Sequence, residues 1–250
     1  MSDGFFITDL DPALTVGQVV TLDGPEGHHA ATVRRVVTGE RVTVADGQGR
    51  GATGVVVQVG KDRLDLRVER LLSDPVPEPR FTCVQALPKN DRVEQTVDLL
   101  TEIGVAEIVP WQASRSVVRW QGERGERARE RWQSIARAAA KQSRRLTVPS
   151  VAPLASTAQV VERLRAADSA YVCHEAATDP VIAQRPSLGD VVVVIGPEGG
   201  VAPDELDAFR EAGAVAVLIG GTVLRTSTAG TVALVQLRQL AELCHWMDEE

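Results

Sequence analysis

The chain is poor in cysteine, has no long apolar run and carries no overall surplus of basic residues. Its three cysteines, Cys83, Cys173 and Cys244, are odd in number and far apart. They match neither a C-x-x-C metal or redox spacing nor a disulfide framework. Such usage fits the reducing cytosol. No stretch approaches the ~18 uninterrupted apolar residues of a membrane span, which excludes a transmembrane protein. The first residues, Met1-Ser2-Asp3-Gly4-Phe5-Phe6, lack a basic region followed by an apolar one, so secretion is not expected and a cytoplasmic location is. There is no P-loop G-x-x-x-x-G-K-[ST], no internal repeat and no low-complexity tract. What is present is ordinary for a globular chain: 250 residues, 44% of them hydrophobic, enough for one large or two modest domains.

The net charge of −7 argues against a nucleic-acid partner only as an average. Residues 115–145 hold ten basic and three acidic side chains, while the segments on either side are acidic. Phosphate recognition depends on the contacting surface and not on the whole-chain total. The alternative is a solvated helix face laced with ion pairs, for which Glu123, Glu126 and Glu130 are the local partners.

Residues 17–72 read as short β-rich segments at 16–22, 41–45, 52–59 and 63–68, separated by glycine turns, which suggests a small barrel. One helical interruption is expected at 28–37, between Gly27 and Gly39. Three prolines in Ser73-Asp74-Pro75-Val76-Pro77-Glu78-Pro79 can continue neither a helix nor a central strand. This places a linker at 74–80 between a domain of residues 1–73 and one of 81–250. In the second domain strands are expected at 81–86, 106–109 (stopped by Pro110), 169–173, 191–195 and 214–219. Helices are expected at 91–103, 125–145, 156–167, 203–212 and 228–246. Alternating strands and helices imply an α/β fold whose mainly parallel sheet is covered on both faces.

Three glycine-rich loops follow strands. Val42-Thr43-Val44-Ala45-Asp46-Gly47-Gln48-Gly49-Arg50-Gly51 imitates a Rossmann-type nucleotide site, but such a loop must open into a helix. Here it runs into another β-branched stretch and reads as a hairpin turn. Val194-Ile195-Gly196-Pro197-Glu198-Gly199-Gly200 does lead to a helix, with Pro203 near its first position and acids in its first turn. Ile219-Gly220-Gly221-Thr222-Val223-Leu224-Arg225-Thr226-Ser227-Thr228-Ala229 is the second such loop. Glycines permit close backbone approach, and α/β folds place ligands beyond the carboxyl ends of parallel strands. Thr226, Ser227 and Thr228 are also N-cap candidates. Arg225 opposes the dipole of the helix that follows, so it needs a partner elsewhere.

These runs resemble the RsmE-type members of the SPOUT (trefoil-knot) RNA methyltransferases. The resemblance rests on Ile195 to Gly200 and on Leu224-Arg225-Thr226-x-Thr228-Ala229. It extends to Leu87-Pro88-Lys89-x-Asp91-Arg92, Glu102-Ile103-Gly104-Val105, Ser114-Arg115-Ser116-Val117, Trp132-x-x-Ile135 and Gln142-Ser143. His28-His29, Val33-x-Arg35 and Asp46-Gly47 match as well, so it spans nearly the whole chain. There are departures: Ser227 stands where members usually carry glutamate, Gly221-Thr222 replaces a Pro-Arg pair, and Ala138 and Arg144 replace Glu and Gly.

The resemblance implies a C-terminal SPOUT α/β-knot domain and a small N-terminal PUA-like β-barrel domain. It implies methylation of N3 of one uridine in 16S rRNA of the small subunit, the family's U1498, with S-adenosyl-L-methionine (SAM) as cofactor. It also implies a homodimer without metal and without membrane contact. The cofactor residues carried over are His174, Ile195, Gly196, Glu198, Gly199, Gly200, Ile219, Gly220, Gly221, Leu224, Arg225, Thr226, Thr228 and Ala229. Arg225 is the catalytic candidate for stabilising the uracil anion, and Glu198 the candidate for proton acceptance or ribose contact. RNA contacts are expected from Arg34, Arg35, Lys89, Arg92, Arg115, Arg119, Lys141, Arg144 and Arg145. His28-His29 has a competing reading as a pair that packs locally. The alternative function is a catalytically silent knotted RNA-binding or ribosome-assembly factor. Ser227 is the feature that favours it, and intact glycine loops disfavour it.

Overall fold

The computed structural model describes residues 4–74, 78–89 and 92–248. Asp91, the initial Met1-Ser2-Asp3 and the linker's Pro75-Val76-Pro77 lie outside the described residues. The chain forms two compact units, Met1–Val76 with Ala140–Val148, and Pro77–Ala139 with Pro149–Glu250.

The first unit is a five-stranded mixed sheet in the order β1-β3-β4-β5-β2. The strands are β1 Gly4–Ile7, β2 Val19–Leu22, β3 Arg41–Ala45, β4 Arg50–Gly60 and β5 Arg63–Ser73. β1 lies parallel to β3 and the other pairs are antiparallel. Among the described residues no ladder joins the edge strands β1 and β2. Alternate positions, including Val42, Val44, Leu64, Leu66 and Val68, point into one core with Phe6, Leu22 and Ala30. β4 and β5 change register at Thr53/Gly54, where a Cβ on Gly54 would strike the Arg67 carbonyl. The glycine run at 46–51 is the expected hairpin turn between β3 and β4. The expected helix at 28–37 begins earlier: α1 is Gly24–His28, with Pro25 in its first turn, and continues as one wide turn over His29–Val33. Pro25, not Gly27, marks that start.

The second unit carries seven strands in the order β10-β12-β9-β11-β6-β7-β8, every adjacent pair parallel. They are β6 Arg80–Ala86, β7 Glu107–Trp111, β8 Ser150–Val151, β9 Ser169–Cys173, β10 Asp179–Pro180, β11 Asp190–Ile195 and β12 Val215–Leu218. The helices are α2 Val93–Glu102, α3 Gly122–Gln142, α4 Thr157–Ala166, α5 Pro203–Glu211 and α6 Thr226–Asp248. The valine run of β11 is apolar throughout because both faces are covered. Val191, Val193 and Ile195 pack with residues of α2, α3 and α6, while Val192 and Val194 pack with residues of α4 and α5. Each fully buried side chain of this strand contributes roughly 1.5–3 kcal/mol.

β7 runs through Pro110, contrary to the expectation that Pro110 stops it. The Pro110 carbonyl accepts from the Ala155 N–H, on the side where β8 has already ended at Val151. The missing proline N–H therefore costs no ladder bond toward β6. α4 starts at a full capping box, Ser156 with Gln159.

Candidate active site

β12, β9 and β11 are neighbours in the sheet, so the loops after Leu218, Cys173 and Ile195 emerge side by side. Together with the start of α6 they enclose a cavity of about 700 Å³ within the second unit. That is the size of a typical small-ligand pocket. Of the fourteen cofactor candidates, all but Gly199 and Thr228 line it.

The first wall is the loop 196–201. Gly200 turns at φ +73°, and its N–H donates to the Pro197 carbonyl. Gly199 faces the other way, against Arg115, whose Nη1 donates to the Gly199 carbonyl at 3.2 Å. Glu198 is exposed, and its carboxylate accepts from the Lys89 N–H at 3.4 Å.

Behind this wall lies Glu205, which is buried at the third position of α5. Its carboxylate accepts from the Ser114 N–H (2.9 Å), the Ser114 hydroxyl (3.1 Å), the Thr157 hydroxyl (3.0 Å) and the Ala202 N–H (3.3 Å). A buried carboxylate is tolerable only with such a donor set, and the helix amino end adds to it. Glu205 thereby ties the Ser114-Arg115-Ser116-Val117 loop to the glycine loop. From the sequence Glu205 reads merely as an acid in a helix's first turn. The available signal was a glutamate three residues past Ala202, half a capping box with no hydroxyl partner.

The second wall runs from Ile219 to Arg225. A Cβ added to Gly220 or Gly221 would meet nothing within 4 Å, so these positions border open space. Among the described residues, no N–H from Gly220 to Arg225 donates a hydrogen bond within the chain. The third wall is the turn after β9. There the His174 N–H donates to the Val217 carbonyl, and His174 Nδ1 accepts from the Ala176 N–H. Cys173 borders the cavity as a protonated thiol, its pKa pushed up to about 12 by burial; Cys83 is raised further by the same cause.

α6 begins at the cavity. The Arg225 carbonyl accepts from the Thr228 and Ala229 N–H groups and from the Thr228 hydroxyl, which turns Thr228 away from the hollow. Arg225 lines the cavity, and its guanidinium has no hydrogen-bond or ion-pair partner among the described residues. Thr226 and Ser227 are buried.

The basic candidates separate into groups. Lys89 and Arg92 border the cavity itself. Arg115 is bonded as above, and Arg119 Nη2 donates to the Ser114 carbonyl at 2.9 Å. Arg34 and Arg35 are exposed just past the wide turn, Arg35 in the left-handed region at φ +54°. Arg144 has φ +56°, and Arg145 Nη2 donates to the Thr147 hydroxyl. Lys141 departs from expectation: only 19% exposed, its Nζ donates to both Glu26 oxygens at 2.7 and 2.8 Å. Its charge is matched internally, because α3 ends within the first unit beside α1. His28 and His29 are both engaged within the first unit. His28 Nδ1 meets Asp62 Oδ1 at 2.7 Å, and the His29 ring sits edge-on to Phe6. The His28 bond, followed by that of Thr32, holds the Asp62 carboxyl below its ordinary range.

Among the described residues no group of His, Cys, Asp and Glu is placed to hold a metal ion, and no helix is long and apolar enough to cross a membrane.

A parallel sheet with glycine loops at its carboxyl edge defines a nucleotide-type binding site, and comparison with known proteins narrows the class. Residues 76–238 match the model of the RNA methyltransferase domain, and residues 22–69 match that of the RNA methyltransferase PUA domain. The ribosomal RNA small subunit methyltransferase E of Mycobacterium bovis is 46% identical over 230 residues, covering 90% of this chain and 88% of that protein. The Bacillus subtilis protein of the same name is 29% identical over 248 residues, 96% of this chain and 97% of its own. A crystal structure of the Neisseria gonorrhoeae methyltransferase E, bound to S-adenosyl methionine, superposes with a TM-score of 0.83 at 30% identity, covering 96% of this chain and 98% of that one. The chain belongs to the ribosomal RNA small subunit methyltransferase E family.

Proposed function

We propose that this protein methylates N3 of one uridine in 16S rRNA, the position known in the family as U1498, with SAM as methyl donor. The observation that carries the reading is the hollow shared by two glycine loops, one of which offers amides with no partner among the described residues. The residues present fit SAM: a cavity of about 700 Å³ and the open positions at Gly220 and Gly221 leave room for an adenosine held by backbone groups. His174, Ile195, Gly196, Gly200, Ile219, Gly220, Gly221, Leu224, Thr226 and Ala229 would hold it, with Gly199 and Thr228 shaping the loops behind. When bound, SAM supplies an electrophilic sulfonium methyl group.

The protein must orient the uracil, remove the N3 proton and stabilise the charge that spreads onto O2 and O4. Arg225, whose side chain has no partner among the described residues, supplies the cation for that charge. Glu198 accepts the proton, and Lys89 and Arg92 at the same rim hold the phosphates of the target nucleotide. Arg115 and Arg119 extend the basic surface in this unit, and Arg34, Arg35, Arg144 and Arg145 do so in the PUA-like unit. Lys141 acts there through Glu26 and not by touching phosphate.

A homodimer is part of the reading. It is supported by α6, whose outer residues Val235, Leu243, Trp246 and Met247 are all at least 40% exposed. So is the trefoil knot, for which the insertion of β11 between β9 and β6 speaks. A cytoplasmic location is also part of the reading, supported by the proposed ribosomal substrate. The silent-factor alternative is separated by calorimetry, since it predicts no saturable SAM binding.

An N3 methyl blocks Watson–Crick pairing and stops reverse transcription. Primer extension on 16S rRNA from cells lacking this chain is therefore expected to read through a stop that wild-type rRNA shows. Unchanged stops in both strains overturn the assignment.

A further inference from the structure

Two glutamines that do not border the cavity share one pattern. Gln85, near the end of β6, is 0% exposed and continues the row of Phe81 and Cys83 on the face of the sheet that packs with α6. Gln236 lies in the middle of α6. Each aims its amide nitrogen at a backbone carbonyl of the wall that runs from Ile219 to the start of α6. Gln236 Nε2 donates to the Ile219 carbonyl at 3.4 Å. Gln85 Nε2 donates to the Thr226 carbonyl at 3.5 Å and to the Ala86 carbonyl at 3.1 Å. Reversing either amide would set oxygen against oxygen, so the donor orientation is fixed. Among the described residues each Oε1 is buried without a hydrogen-bond partner. An apolar side chain of the same length would avoid that cost, so the two amides are explained by what they hold.

A trans peptide group points its C=O and N–H in opposite directions. Drawing the Ile219 carbonyl toward Gln236 therefore turns the Gly220 N–H the other way, and Gly220 borders the hollow. At the far end, Thr226 is the first residue of α6 and directly follows Arg225. The first turn of α6 is seated closely: a Cβ on Gly230 would come within 3.1 Å of Leu100, 3.3 Å of Cys83 and 3.4 Å of Ile195. Gln85 holds the carbonyl just before that seat. We infer that Gln85 and Gln236 are positioning residues for the two ends of the 219–226 wall. Gln236 aims the Gly220 amide at the cofactor, and Gln85 sets the start of α6 and with it Arg225. The inference rests on the proposed methyl transfer and adds to it two side chains that touch neither SAM nor RNA.

The test replaces each glutamine in turn by methionine, which keeps the length and bulk of the side chain and loses the amide; leucine serves where the methionine variant does not fold. Calorimetric titration with SAM, steady-state methylation of 16S rRNA and thermal unfolding without ligand are read together. Gln236→Met is expected to bind SAM about threefold to tenfold more weakly and to raise KM for SAM alike, with kcat within about twofold of wild type. Gln85→Met is expected to bind SAM within about twofold of wild type while kcat falls about fivefold or more. In both variants Tm stays level or rises, because the orphaned oxygen leaves with the amide. For either residue, wild-type affinity and kcat, or a Tm lowered in step with activity, overturn the positioning role. Failure of the wild-type protein to bind SAM at all would instead remove the proposed function itself.

Discussion

The hairpin loop at 46–51 and the loops of the second unit look alike in sequence, each a β-branched strand running into glycines. Their backbones are used in opposite ways. In the hairpin, Asp46 Oδ1 accepts from the Gln48 and Arg50 N–H groups, Gly49 N–H donates to the Leu146 carbonyl, and the Gly47 carbonyl accepts from Val148. A Cβ on Gly49 would come within 2.8 Å of the Asp74 carbonyl oxygen. Every approach is filled by protein. At Gly220 and Gly221 the space is open, and among the described residues nothing accepts from the amides. Glycine content does not mark a ligand loop; unsatisfied donors facing a hollow do.

That contrast can be broken most sharply at Arg225, the side chain proposed to act on charge that develops during reaction. Arg225→Ala is expected to slow methylation about a hundredfold to a thousandfold while calorimetry shows SAM affinity little changed. Lost SAM affinity would make Arg225 a cofactor ligand. Next in size is a paired substitution. Gly220→Val should weaken SAM binding about tenfold or more by filling the hollow, with Tm unchanged. Gly49→Val should do the reverse: its φ of +102° and the Asp74 carbonyl make it destabilising by several degrees, with SAM binding by the surviving folded protein intact. Equal behaviour of the two variants would erase the distinction between the loops. Glu205→Ala, which orphans four donors beneath the glycine loop, is expected to cost about 3 kcal/mol or more in urea unfolding.

Which parts of this were legible in the sequence follows from how local their causes are. The Val191–Ile195 strand, both glycine loops and the hairpin decoy announce themselves by their own residues and those next in line. The two-residue strands β8 and β10 do not, since they exist only because β7 and β12 offer an edge. β1, four residues long, is placed by its pairing with β3. Pro110 misled because a proline's effect depends on which neighbour its nitrogen faces. The return of Ala140–Val148 to the first unit, and Glu26 meeting Lys141 across 115 positions, are tertiary facts that no local pattern carries. The same holds for Glu205, whose four donors come from three separate segments.

The smallest effects concern the basic residues of the first unit. Removing an acid from a basic surface ordinarily strengthens RNA binding by lowering repulsion. Glu26→Gln is expected to weaken it several-fold, since Glu26 fixes Lys141 and with it the end of α3 that carries Arg144 and Arg145. The exchange Glu26→Lys with Lys141→Glu should restore it; a direct phosphate contact by Lys141 would leave the exchanged protein defective. Arg144 is the finest case. Its φ of +56° closes α3 with the Arg145 N–H donating to the Ala140 carbonyl, a cap that glycine adopts without strain and arginine does not. The resemblance places glycine at this position in other members. Arg144→Gly should therefore raise stability by about 1 kcal/mol while lowering rRNA affinity and the steepness of its salt dependence by about one ionic contact. A gain in stability with an unaltered salt slope would show that the strained arginine is not there for the RNA.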